Sequence, residues 1–396
     1  MAKDNNNKIL NVPNLRFGEY SDEWNLNELQ KVATLSKGSG ISKDQLSENG
    51  TPCILYGELY TKYNSEIISE VYSKTELDTS NLVKSKENDV IIPCSGETAI
   101  DISTARCVPF NGVLLGGDLN IIRLKNQNGG FFAYQLNGKR KVDIAKVAQG
   151  VSVVHLYGEH LKRVTVAYPT YSEQKKIADF LSLLDERIAT QNKIIEDLKK
   201  LKVAIIENAF CGKQYNYKIG DIITQVSSRN KSNNESNVLS VSNKLGFVEQ
   251  SEQFEDRTVA SEDVTNYKIV RANDFAYNPA RINVGSIARL KQYESGIVSP
   301  MYICFHAKKN VLPEYLEMFF LTQYFKHEMC KRLEGSVRLC LSFEGLTNIP
   351  IFIPGIPLQK EISEKVLAFE TKIGTEGYYL NALERQKQYL LQQMFI

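Results

Sequence analysis

Apolar residues recur every three or four positions between Ile177 and Ala209: Ile177, Leu181, Leu184, Ile188, Ile195, Leu198, Ile205 and Ala209 fall on one stripe, with Gln191 and Lys202 as its two polar members. That period predicts a long helix presenting a coiled-coil seam. A second stripe of the same period runs through Ile362, Val366, Phe369, Ile373, Glu376, Leu380, Leu383, Lys387, Leu390 and Met394. Ser172 followed by Glu173 suits the N-cap of the first helix, and Pro357 suits the first turn of the second. Each helix has about 38 residues, which makes a strut of ~57 Å at 1.5 Å per residue.

The rest of the chain has the shorter and more varied patterns of α+β structure. In its first part, strands are expected at Pro52–Leu59, Asp89–Pro93, Val113–Leu124 and Gly150–Tyr157, with a helix from about Phe131 to Gln149. In its second part, strands are expected at Val238–Val241, Asp274–Tyr277, Ser286–Leu290 and Ile297–Ala307, with a helix from Pro313 to Leu333. Gly150 and Gly335 follow these two helices and read as C-caps.

Both parts are copies of one plan. Displaced by 185 positions, residues 161–210 lie on 346–395 without a gap, and ten positions are identical, among them Pro169/Pro354, Gln174/Gln359, Lys202/Lys387 and Phe210/Phe395. The same displacement aligns Asn88-Asp89 with Asn273-Asp274, Gly150 with Gly335 and Leu156 with Leu341. The fold class expected is therefore α+β, a tandem repeat of two α+β domains separated by two long helices that pair as an antiparallel coiled coil around a pseudo-two-fold. An antiparallel pairing keeps Lys202 away from Lys387. Reflection of the two stripes places Gln191 opposite Lys387 and Lys202 opposite Glu376.

Composition narrows the class. With 42% hydrophobic and 24% charged residues the chain is globular. Its longest apolar stretch, Ile349–Leu358, carries three prolines, so no membrane span is expected. A polar start without an apolar signal core and seven cysteines without a C-x-x-C pair point to the cytoplasm. A net charge of +2 neither requires nor excludes nucleic acid, so local clusters matter more: Lys139, Arg140, Lys141 and Lys146, then Arg281, Arg289 and Lys291.

Chemistry is missing. No phosphate-binding G-x-x-x-x-G-K-[ST] string occurs, Gly38-Ser39-Gly40 lacks a third glycine, and His155 and His160 have no companions for a metal shell. Asn278-Pro279-Ala280 lacks the second proline and the aromatic of an amino-methyltransferase motif. Catalysis, metal binding and a resident cofactor are not expected. Base reading needs Arg, Lys, Asn, Gln, Ser or Thr on loops. The candidates are Lys37, Ser39, Ser95, Glu97, Thr98, Lys139, Arg140, Lys141 and Ser152 in the first part, and Arg229, Asn230, Lys231, Asn278, Arg281, Asn283, Ser336 and Arg338 in the second.

The Pro turn followed by S-E-Q-K-K-I-A-D-F-L-S-L-L-D-E-R-I (172–188), with its copy P-L-Q-K-E-I (357–362), resembles the DNA-specificity (S) subunits of type I restriction-modification systems. The resemblance spans the chain and implies target-recognition domains at 1–160 and 213–345, with helical regions at 161–212 and 346–396. It further implies a non-catalytic subunit in which each domain reads one half of an asymmetric double-stranded DNA target, and the helices set the spacing and dock two modification subunits. S-adenosylmethionine would reside on those partners, and ATP and Mg on restriction subunits. The second copy departs from the pattern with Gly374 and Gly377 inside its helix. Two other readings are a coiled-coil scaffold for non-DNA partners and a diverged methyltransferase. DNA affinity that falls with salt separates the first from a specificity subunit, and methyl-donor binding separates the second.

Overall fold

Asp89–Pro93 is buried at every position, so its apolar residues need cover on both faces and its backbone needs a strand on each side. Both are supplied. In a computed structural model, which describes residues 11–243, 245–250, 263–336 and 338–396, it lies inside a four-stranded antiparallel sheet in the order 33–37, 119–124, 89–93, 106–108. Helix Gly129–Asn137 covers one face with the fully buried Phe131, Phe132, Tyr134 and Leu136. Strand Asn25–Glu28 pairs with Thr165–Tyr168, at the entry to the first long helix.

Later in the chain the same sheet recurs. Strands 223–226, 303–307, 275–277 and 287–289 follow the same order and are again antiparallel. Tyr217–Lys218 pairs with Pro350–Ile351, as 25–28 pairs with 165–168. Outside this frame the two differ: one carries a three-stranded sheet and the other a second four-stranded sheet.

Several expected elements prove shorter. Pro52–Leu59 is a strand only over Thr51–Ile54, and Val113–Leu124 is two strands, Leu114–Leu115 and Leu119–Leu124. Ile297–Ala307 is broken at Ser299-Pro300 into Ser295–Val298 and Ile303–Ala307. The helix expected over Phe131–Gln149 stops at Gly138 and resumes as Lys141–Val147. That expected over Pro313–Leu333 is interrupted at Thr322, whose hydroxyl accepts the Phe325 N–H and caps Gln323–Cys330. Gly150 and Gly335 therefore lie beyond the helix ends and are not C-caps.

The two long helices, Tyr171–Phe210 and Ile356–Gln393, are continuous over 40 and 38 residues, and the second is not interrupted at Gly374 or Gly377. Compact units do not follow the helices. One unit is Met1–Lys193 with Gly377–Ile396, and the other is Ile194–Glu376. Within the first, Phe395 packs on Trp24 and Phe131. Within the second, Phe210 packs on Tyr315 and Phe319. The identity of Phe210 and Phe395 thus has one cause, an aromatic plug at the tail of each long helix.

Gln174 and Gln359 are a second such case. Buried in the first turn, the Gln174 amide donates to the Pro169 carbonyl at 2.9 Å and accepts the Asn128 N–H at 2.9 Å, where helix Gly129–Asn137 begins. Gln359 donates to the Pro354 carbonyl at 2.8 Å and accepts the Leu312 N–H at 2.8 Å, where helix Pro313–Leu321 begins. Each glutamine satisfies backbone groups at both ends of its amide, Gln359 donating also to the Asn310 carbonyl at 3.1 Å, and so joins its domain to its long helix.

All expected seam positions are shielded. Ile177, Leu181, Leu184, Gln191, Val366, Leu383 and Leu390 are buried; Ile188, Ile195, Leu198, Lys202, Ile205, Ile362, Phe369, Ile373, Glu376, Leu380 and Lys387 are half-buried. Pairing is antiparallel in each unit, but the register is not the expected one. In the first unit the Lys387 ammonium lies 2.6 Å from Asp185 and 2.5 Å from Glu66; in the second, Lys202 lies 3.3 Å from Glu370. Asp185 and Glu370 are 185 positions apart, as are Lys202 and Lys387, so one ion pair occurs twice. Both pairs set residue n against 572 minus n. The expected pairs, Gln191 with Lys387 and Lys202 with Glu376, are six residues out of register. Reflection of the stripes considered only stripe residues, whereas Lys387 is neutralised by Asp185, beside the stripe, and by Glu66 from the domain body.

Candidate nucleic-acid interface

Strand Asp89–Pro93 leads into Ser95–Gly96, which pairs antiparallel with Val154–His155, and the Leu156 N–H donates to the Cys94 carbonyl at 2.8 Å. In the second unit the Leu341 N–H donates to the Pro279 carbonyl at 3.0 Å, the same bond 185 positions on. A loop precedes each bond. Gln149 and His155 exchange backbone hydrogen bonds of 2.9 and 2.7 Å around residues 150–154, and Glu334 and Cys340 exchange bonds of 2.9 and 2.8 Å around 335–339. Gly150 and Gly335 open these loops at φ +123° and +118°. A Cβ would lie 2.1 Å from the Val153 carbonyl oxygen in one and 2.4 Å from that of Arg338 in the other, so only glycine fits.

These bonds gather many of the expected residues. Ser95 faces His155 across the short pairing, Glu97 and Thr98 follow it, and Ser152 lies in the loop. Asn278, Arg281 and Asn283 flank Pro279, and Ser336 and Arg338 lie in the second loop. Glu97, Ser152, Arg281, Asn283, Ser336 and Arg338 are exposed. Thr98 caps the short helix Ala99–Ile102 by accepting the Asp101 N–H, and Asn278 accepts the Ala280 N–H.

Other candidates have internal duties. Asn230 is 1% exposed and holds Glu235 through both ends of its amide, so it offers nothing to a base. Arg140 donates to the Ile396 carbonyl at 2.8 Å and closes the C-terminal residue onto the first unit. The half-buried Ser39 hydroxyl accepts the Val83 N–H at 2.8 Å. Lys141 is half-buried, with its pKa lowered by that burial and by Arg106. In the second basic cluster, Arg289 is neutralised by Glu314 and Glu317, and Lys291 by Glu317, leaving Arg281 exposed. Lys37, Lys139 and Lys231 are exposed, and Arg229 bonds Asn266.

Three features went unnoticed in the sequence. Val151 and Val153, at the tip of the first loop, are 96% and 53% exposed, and Leu339 of the second is 50% exposed. A cleft of about 910 Å³ in the first unit is lined by Lys43, Tyr56, Tyr60, Lys62 and Asp118. The alignment of Gly150 with Gly335 held the signal for the loops, but two glycines after predicted helices look like caps. The cleft has no signal, because its walls come from three separate segments.

Burial pushes the Cys53 and Cys94 thiols up to about 11 and those of Cys107 and Cys304 up to about 12, which keeps them protonated at neutral pH. Among the described residues no group of three His, Cys, Asp or Glu could hold a metal ion, and no helix is long and apolar enough to cross a membrane. Exposed polar loops and exposed cations thus lie on a repeated frame.

Residues 21–200 match the family described as the type I restriction modification DNA specificity domain. The type I restriction enzyme MjaVIII specificity subunit of Methanocaldococcus jannaschii is 22% identical over 372 residues, covering 85% of this chain and 84% of that protein. The crystal structure of the type I restriction-modification S subunit from M. genitalium has the same fold over 97% of this chain and 99% of its own, with a TM-score of 0.57 at 15% identity. A chain from a structure of complex assembly and conformational transition in a type I system matches at TM-score 0.57 and 14% identity, over 94% of this chain and 97% of its own. By these matches the chain carries a type I restriction modification DNA specificity domain over residues 21–200 and is similar along its length to specificity subunits of type I restriction-modification systems.

Proposed function

We propose that the two α+β domains each read one half of a split, asymmetric DNA target and that the long helices fix the distance between the halves. The observation that carries this reading is the repetition of one sheet order and of one exposed corner, the corner at an offset of 185 residues, while the surfaces around them differ. A shared frame with different loops is what two half-sites of different sequence require. A helix of 40 residues can hold a separation that a flexible linker could not. The chain itself is non-catalytic. Two modification subunits docked on the helices bring S-adenosylmethionine and methylate adenine, restriction subunits bring ATP and Mg, and the complex works in the cytoplasm.

The test is to map methylated adenines in a host that expresses the chain with its modification subunit, before and after exchange of residues 213–345 for the equivalent domain of a relative. One half-site should change and the other stay. If both change, or neither does, the modular reading is wrong. DNA affinity of the complex should also fall steeply with salt as counterions are released, whereas a scaffold for other partners would show none.

A further inference from the structure

Resting on that reading, we propose that the paired loops, residues 149–155 and 334–340, grip the DNA independently of its sequence, and that reading is left to the surfaces around them.

The two domains share several features beyond the sheet. Most have an internal cause. Gln174 and Gln359 satisfy buried backbone groups, and Phe210 and Phe395 plug cores. Asn88 and Asn273, at φ +75° and +70°, precede aspartates that each accept a backbone N–H at 2.8 Å, from Lys86 and Arg271. In the two loops such a cause extends to the closing bonds, which return the chain to the buried Leu156 and Leu341, but not to the tips. Among the described residues of the tips, Val151, Ser152, Val153, Ser336, Arg338 and Leu339 are all exposed. Even so, both keep the same glycine geometry and the same closing bonds at Gln149/His155 and Glu334/Cys340. An exposed loop closed in the same way in two domains whose other surfaces have diverged is explained by a partner that is the same for both. The two half-sites differ in sequence; what they share is the sugar–phosphate backbone and the shape of the grooves.

The chemistry of the tips suits that partner. Ser152, Ser336 and Arg338 supply donors of the kind that bind phosphate, and among the described residues Arg338 has no ion pair. Val151, Val153 and Leu339 are apolar side chains of the kind that press into a minor groove, where the wall of sugars is apolar and the base pattern is degenerate. The residues beside each loop, Ser95 with Glu97 and Asn278 with Arg281, differ between the domains and are left to discriminate bases.

The experiment uses the full chain assembled with its modification subunits. Val151→Ser with Val153→Ser alters the first tip, and Arg338→Ala alters the second. Each set should weaken binding of the complex to a target duplex and to a duplex lacking the target by similar factors of about ten, and leave the methylated sequence unchanged. Arg338→Ala should also reduce the slope of log affinity against log salt by about one. Gly150→Ala, which cannot hold φ +123°, should reproduce the loss from a change in backbone alone. Unaltered affinity in these variants, or a changed half-site sequence, overturns the proposal. So does a loss of modification-subunit assembly, which would make the loops protein contacts. Absence of DNA binding by the wild-type complex would instead overturn the proposed function itself.

Discussion

At the scale of single residues, the most consequential group is the buried cluster of Glu66, Asp185 and Lys387. Lys387 is shared between the two carboxylates, Tyr134 donates to Asp185 at 2.8 Å, and the buried Arg106 brings the charge near balance. Burial, reinforced by the negative Glu66, pushes the Asp185 carboxyl up to about 6 from an ordinary 3.8, while Lys387 holds Glu66 below its usual range. The sign follows from linkage. A raised carboxylate contributes stability that is fully present below its unfolded value and is lost as pH rises through the folded value. Glu66 acts in the opposite direction and only below about 4.5. Measured by urea unfolding at several pH values between 4.5 and 7.5, the wild type should therefore lose ground to Asp185→Asn, which cannot ionise, as pH rises from 4.5 to about 6, and the difference should level off above that. A constant difference across that window would show that Asp185 is already ionised at its lower end.

At the scale of elements, the second long helix is less stable than its setting would allow. Gly374 and Gly377 lie in mid-helix, and a Cβ added at either would meet no atom within 4 Å. Neither has a positive φ. No close approach demands glycine there, so only its low helix propensity counts. Gly374→Ala and Gly377→Ala should each stabilise the chain by about 1 kcal/mol, read as a rise in the urea midpoint. A fall would mean that the helix must bend at these residues in the assembled complex. The element scale also explains the altered register. Interlocking apolar stripes tolerate several offsets, so charges choose among them: the offset found gives Lys202 and Lys387 one acidic partner each at equivalent places.

At the scale of the whole molecule, the proposed spacing role gives a numerical expectation. Seven residues inserted into the first long helix keep its stripe in phase and add about 10.5 Å. That corresponds to roughly three base pairs of DNA rise. The gap between methylated half-sites should lengthen by about that amount, whereas a four-residue insertion should misphase the stripe and prevent assembly. An unchanged gap after the longer insertion would remove the helices from the measurement of distance.

What the sequence determined by itself was whatever repeats or is periodic. The two long helices follow from 3-4 spacing, and the duplication from an ungapped alignment of 50 residues. The family resemblance followed from the segment 172–188, because local propensity and pattern are properties of contiguous residues. Tertiary structure decided what depends on residues far apart in the chain. Asn230 and Arg140 look like surface residues until their partners, Glu235 and the C-terminal Ile396, are in view. Arg289 counts as a free base until Glu314 and Glu317 come from a later helix. The seam register depended on Glu66, more than 300 residues from Lys387. A pattern shows which face of a helix is buried; which charge meets which is set by the desolvation of groups that the fold alone brings together.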